Sequence, residues 1–116
     1  MAYQAALADL HNNLAIVYGA TRQPSRVEDE LRQALAVWEN LARMQLTIGD
    51  YRYKLAMGHN NLGMLYAERR RPVEAETSYK KALELREDLV RSHPTVSDYQ
   101  HKLARTFHNC ICLPPR

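Results

Sequence analysis

Glycine is scarce in this chain of 116 residues, at 4, and Phe and Trp occur once each. Ala, Leu, Arg and Glu abound instead, a mix that favours helix. It argues against a sandwich or barrel, which need many turns and β-branched runs. Long apolar runs are also missing. Asp9, His11, Asn12 and Asn13 interrupt the first stretch and no basic segment precedes it, so neither a signal peptide nor a transmembrane helix is expected. Cysteine is confined to Cys110 and Cys112, a spacing that rarely closes a structural disulfide; a reducing cytoplasm is the simplest reading. Neither sign of charge dominates, with 16 Lys and Arg against 13 Asp and Glu. A dense basic stripe of the kind that grips phosphate backbones is therefore lacking. So are a glycine-rich phosphate loop, a nucleophile elbow, a kinase signature and the His-x-x-x-His or Glu-x-x-His spacings of metal sites. No enzymatic activity, cofactor or metal is expected.

What is present is ordinary in bulk and ordered in detail. The chain is 46% hydrophobic and 25% charged, so folding rather than disorder is the expectation. A chain of this length can bury roughly two-thirds of its unfolded surface. The charge is graded. Residues 1–50 hold 4 basic and 6 acidic groups, residues 51–98 hold 9 and 7, and residues 99–116 hold 3 and none.

Tyr3, Tyr51 and Tyr99 stand 48 residues apart, and residues 3–50 laid on 51–98 give 18 identities without a gap. The matches include Leu7-Ala8 with Leu55-Ala56, His11-Asn12-Asn13-Leu14 with His59-Asn60-Asn61-Leu62, and Arg22-x-Pro24 with Arg70-x-Pro72. The expected organisation is one array over 1–116: repeat 1 at 3–50, repeat 2 at 51–98, and a partial repeat or capping helix at 99–113.

Each repeat reads as two helices. The first carries Leu7, His11, Leu14 and Tyr18, copied at Leu55, His59, Leu62 and Tyr66, and begun again at Leu103, Phe107 and Cys110. Spacings of 4, 3 and 4 trace one stripe of an α-helix. The second helix starts at Pro24 or Pro72, where proline suits the first turn. Its stripe is Val27, Leu31, Ala34, Leu35, Trp38 and Leu41, copied at Ala75, Tyr79, Ala82, Leu83 and Leu89 with Arg86 in the Trp38 position. The predicted helices are 3–20, 24–46, 51–68, 72–92 and 99–112. Asp50 and Asp98 are the expected N-caps of the third and fifth.

These residues resemble tetratricopeptide repeats. That motif runs large residue, Leu-Gly, Tyr, then small, aromatic, small. His59, Leu62-Gly63, Tyr66, Ala75, Tyr79 and Ala82 fill it in register, as do His11, Leu14-Ala15, Tyr18, Val27, Leu31 and Ala34. The His-Asn-Asn-Leu-Gly start is most similar to kinesin-light-chain-type repeats, and to long repeats of bacterial multidomain proteins. The implied fold is an all-α helical-hairpin solenoid of about five antiparallel helices. The 48-residue period departs from the family's 34 or 42. Arg22 and Arg70 replace its inter-helix glycine, and Glu39 and Glu87 its terminal proline, so the second helices should run long.

The resemblance implies a protein–protein interaction scaffold whose first helices line a concave groove for a peptide or a partner surface. Asn12, Asn13, Asn60, Asn61, His108 and Asn109 occupy the equivalent places, and a side-chain amide can pair with any extended backbone. Helical spacing adds Asp9, Ile16, Met57, Met64, Arg105 and Cys112 as neighbours. Lys54 and Lys102, one turn earlier, suggest a ligand with an acidic or carboxylate feature. His11 and His59 stand where Phe107 stands in the third copy, so they read as packed core histidines rather than ligands. The His108-x-Cys110-x-Cys112 run lacks the second half of a zinc site. Arg69-Arg70-Arg71 reads as a solvated turn, with an anion contact as the sharper alternative. Two other readings remain open: a homodimer through the open repeat ends, where Leu103, Phe107 and Cys110 show an edge, and nucleic-acid binding through the basic C-terminal half.

Overall fold

Five stretches of helical apolar spacing fold as five α-helices: α1 (Ala2–Ala20), α2 (Pro24–Met44), α3 (Gly49–Glu68), α4 (Pro72–Ser92) and α5 (Ser97–Ile111). The structure, a computed structural model, describes residues 2–44 and 49–113. The expected end of the second helix at Leu46 lies outside the described residues, as does the side chain of Asp50, which falls within α3 rather than before it. Among the described residues there is no strand, and no helix is long and apolar enough to cross a membrane.

Short links force sequential helices into antiparallel pairs. α2 packs on α1 and α3, and α4 on α3 and α5. The result is a slab of 36 × 32 × 19 Å, about two helix diameters thick. α2 and α4 each have 21 residues, so the second helices do run past Glu39 and Glu87.

The two tight turns are built alike. α1 and α3 end with Arg22 (φ 57°) and Arg70 (φ 59°) in the left-handed region. The next residue reaches back: Gln23 N–H donates to the Tyr18 carbonyl at 2.9 Å, and Arg71 N–H to that of Tyr66 at 2.8 Å. This six-to-one closure usually uses glycine, because a Cβ there costs about 1 kcal/mol. Pro24 and Pro72 then open α2 and α4, where no intrahelical N–H is required.

The core is the stripe of the second helices. Leu31, Ala34, Leu35, Trp38, Leu41 and Ala42 are buried on α2, and Ala75, Tyr79, Ala82 and Leu89 on α4. Trp38 has no exposed surface; truncating such a side chain costs roughly 3–5 kcal/mol. The first helices meet these large side chains with small ones. A Cβ on Gly58 would lie 2.7 Å from Leu35 Cδ2, and one on Gly63 would lie 2.7 Å from two ring carbons of Tyr79. Glycine is what lets α3 approach α2 on one side and α4 on the other.

An ionic hub joins the hairpins. The Glu28 carboxylate of α2 accepts from Arg32 Nε and the Tyr66 hydroxyl, both at 3.0 Å, and from Nη1 of Arg69 and Arg71 at 3.4 Å. Burial alone would raise its pKa. Hydrogen bonds from Arg32 and Tyr66, with the charges of Arg32 and Arg71, outweigh that and hold Glu28 below the usual carboxylate range. The turn arginines therefore contact an anion of their own chain.

Two local expectations fail in α5. The helix begins at Ser97 with Val96 at the cap position, so Asp98 sits in the first turn and does not cap it. Its carboxylate instead accepts from the Tyr53 hydroxyl at 3.2 Å. Phe107 is also not packed in a stripe with Leu103 and Cys110. It is 55% exposed, and Thr106, 1% exposed, is the residue α5 buries. α5 packs on α4, and no following helix among the described residues covers its other side.

Candidate functional site

α1, α3 and α5 lie side by side and touch through polar side chains. Lys54 of α3 donates to both carboxylate oxygens of Asp9 on α1 at 3.0 Å. Asn60 Oδ1 of α3 accepts from Thr106 Oγ1 at 3.2 Å and from Asn109 Nδ2 at 3.4 Å, both on α5. Two depressions flank the α3 ridge. The larger, about 650 Å³, runs between α1 and α3 over the start of α2; Ala15, Val27, Leu31 and Leu65 give it an apolar floor. The smaller, about 230 Å³, lies between α3 and α5. Asn61 and Met64 border both.

The predicted groove residues divide into three groups. Asn12, Ile16, Asn61 and Met64 line the larger depression. Met57, Asn60, Lys102 and Arg105 line the smaller, again with Asn61 and Met64. Asp9, Asn13, Lys54, His108, Asn109 and Cys112 line neither. Asp9 and Lys54 neutralise one another. Asn13 and His108 face solvent, with the Cys112 thiol 3.6 Å from His108 Nε2. The Asn pair at 60–61 splits its labour. Asn60 is 8% exposed and ties α3 to α5, whereas Asn61 stays on the groove side.

The state of Asn12 differs from that of Asn60. Its amide oxygen is buried and has no hydrogen-bond partner among the described residues. A buried acceptor without a donor costs about 1–3 kcal/mol, so it is a place where an incoming N–H gains more than its usual share.

Two groove residues escaped the sequence reading. Thr106 gave no signal, since a threonine on a helix is ordinary. Arg86 did give one: a cation at the Trp38 position of an otherwise apolar stripe. It is 3% exposed on α4 and borders the smaller depression.

The core histidines are half-buried. His11 bonds through Nδ1 to Glu30 Oε2 at 2.5 Å. Burial, reinforced by Lys81 and opposed by Glu39, lowers the His59 pKa to about 4, so its ring is neutral at pH 7.

A stack of antiparallel hairpins whose first helices share one grooved face defines a helical-repeat protein. Its second hairpin is identified directly: residues 56–89, from within α3 to within α4, match the tetratricopeptide repeat family model. That match covers one repeat within the chain, and the described residues form helices and turns alone, as an all-α helical-repeat fold requires. Such repeats generally mediate protein–protein interactions and are not catalytic. A comparison with curated proteins gave no match.

Proposed function

We propose that the chain is an interaction scaffold that takes an extended segment of a partner protein in the groove between α1 and α3. Asn12, which lines the 650 Å³ depression and whose buried amide oxygen has no partner among the described residues, carries this reading. An extended backbone presents N–H groups at regular spacing, and one of them can satisfy Asn12 whatever its side chain. Ile16 and Met64 are 65% and 39% exposed on the two walls. Covering them returns about 25 cal/mol per Å² of apolar surface. Both cysteines are unpaired thiols, which suits the reducing cytoplasm expected above.

Selection from a displayed library of short peptides tests the reading. Ile16→Asp and Asn12→Ala should each weaken a selected peptide at least tenfold. Val73→Asp, at an exposed apolar position outside both depressions, should leave it unchanged. Equal binding by all three variants would refute the groove. Asn60→Ala is a poor probe, because it unties α5.

A second reading, self-association, draws on the open face of α5, where Phe107 and Ile111 are 55% and 63% exposed. Light scattering that finds a monomer at every concentration would remove it. The nucleic-acid reading loses support, because Arg69 and Arg71 are engaged by Glu28.

A further inference from the structure

We propose that the smaller depression between α3 and α5 is a receptor for an oxyanion borne by the partner segment, with the Arg86 guanidinium as its anchor. It deepens the groove reading by naming the chemistry of one end of that groove, while the anion chemistry stands on the pocket itself.

Arg86 is the unusual feature. A guanidinium cannot shed its proton, so its charge is buried and must be compensated. Yet Nε and Nη1 of this nearly inaccessible side chain have no hydrogen-bond partner among the described residues. The Tyr53 ring lies 6.0 Å from the guanidinium carbon and offers it a weak cation–π contact. The charge of Asp98 favours the cation, but its carboxylate accepts from the Tyr53 hydroxyl and makes no ion pair with Arg86. The environment works against the cation: burial lowers its pKa, Tyr53 and Asp98 oppose that, and Arg105 adds like-charge repulsion.

The pocket supplies the rest of an anion site. Lys102 and Arg105 of α5 join Arg86 on its wall, and no acidic side chain lines it. Asn60, Asn61 and Thr106 add neutral polar groups. A volume of about 230 Å³ is several times the ~30 Å³ share of a water, enough for a carboxylate or phosphate group and its linking atoms. A planar fork of donors matches both groups in bidentate fashion. The proposal accounts for three facts together: a cation in the place of a tryptophan, its unused donors, and two further cations around the same opening.

Thermal melts at matched ionic strength test it, with sodium phosphate and sodium acetate compared against sodium chloride. NMR of the arginine Nε–Hε groups follows the same titrations. Phosphate or acetate at ten times its Kd should multiply the folding constant about elevenfold, a Tm rise of roughly 5 °C, and should shift the Arg86 resonance. Which of the two binds identifies the source, carboxylate or phosphorylated side chain. Arg86→Met should remove the anion-dependent rise. Lys102→Gln with Arg105→Gln, at positions outside the core, should weaken anion binding at least tenfold and guards against a failure of Arg86→Met to fold. No rise in the unmodified protein with either anion, or an equal rise in the variants, overturns the proposal. Ile16→Asp separates the two readings. Loss of peptide binding in this variant without any anion site leaves the groove standing and removes the receptor. Anion binding by the unmodified protein, with peptide binding that Ile16→Asp leaves unchanged, does the reverse.

Discussion

Replacing Gly63 by alanine would place a Cβ 2.7 Å from Cδ1 and Cε1 of Tyr79 and 3.1 Å from its Cγ. Ordinary carbon contacts sit near 3.5–4.0 Å, so three ring atoms would have to move by several tenths of an ångström or more. Tyr79 is 3% exposed on α4 and has little room to swing aside. Overpacking of this kind costs about 1–3 kcal/mol. Alanine returns up to about 1 kcal/mol of helix propensity, which leaves a net loss of roughly 1–2 kcal/mol. In a domain of this size that lowers Tm by roughly 5 °C. Repeat 1 shows how the chain solves the same problem differently: at the equivalent positions it has Ala15 and Leu31, both buried. The sharper test is therefore a double-mutant cycle. Gly63→Ala and Tyr79→Leu should each destabilise, while the combination should recover about 1–2 kcal/mol relative to their sum. Denaturant melts followed by circular dichroism measure all four corners. A neutral Gly63→Ala, or strictly additive single changes, would refute the claim that a close ring contact dictates this glycine.

Gly19 is the counter-case: its added Cβ would meet only Val27 Cγ2, at 4.0 Å, so Gly19→Ala should raise stability by about 0.5–1 kcal/mol in the same melts. Arg70→Gly should also stabilise, by about 0.5–1 kcal/mol, because it relieves a left-handed backbone at an exposed turn; a drop in Tm would contradict the turn argument. Thr106→Val removes a buried donor to Asn60, which keeps its bond from Asn109. The cost should be about 1 kcal/mol, with faster hydrogen exchange confined to α5. His59 sets a pH dependence. Its folded pKa of about 4 lies below the unfolded value near 6.5, so between these pH values the unfolded chain binds more protons and stability falls as pH drops. For a half-buried ring the loss should be roughly 1–2 kcal/mol, and His59→Phe, the residue of the third copy, should flatten the profile.

The sequence by itself determined the repeat, the helix order and most of the core. Prolines set the starts of α2 and α4, and α4 spans Pro72–Ser92 as predicted. α3 begins two residues before its predicted start and α5 runs 97–111 rather than 99–112, since residues flanking a cap can join a helix without altering its apolar stripe. Apolar spacing was enough to find the buried faces of α2 and α4, because burial of large side chains leaves a periodic trace.

The site was less legible, for a geometric reason. Successive helix residues point about 100° apart, so Asn60 and Asn61 look equivalent until Thr106 and Asn109 of α5 engage one of them. Asp9 and Lys54 read as separate groove charges, 45 residues apart; only the packing of α1 beside α3 brings them to 3.0 Å. Arg86 sits at the Trp38 position in sequence and is buried as Trp38 is. The Lys102 and Arg105 that share its pocket belong to another helix, and periodicity within one helix carries no information about such a neighbour. Local spacing thus decided what each helix hides, and tertiary packing decided which polar groups are consumed within the fold and which are left for a partner.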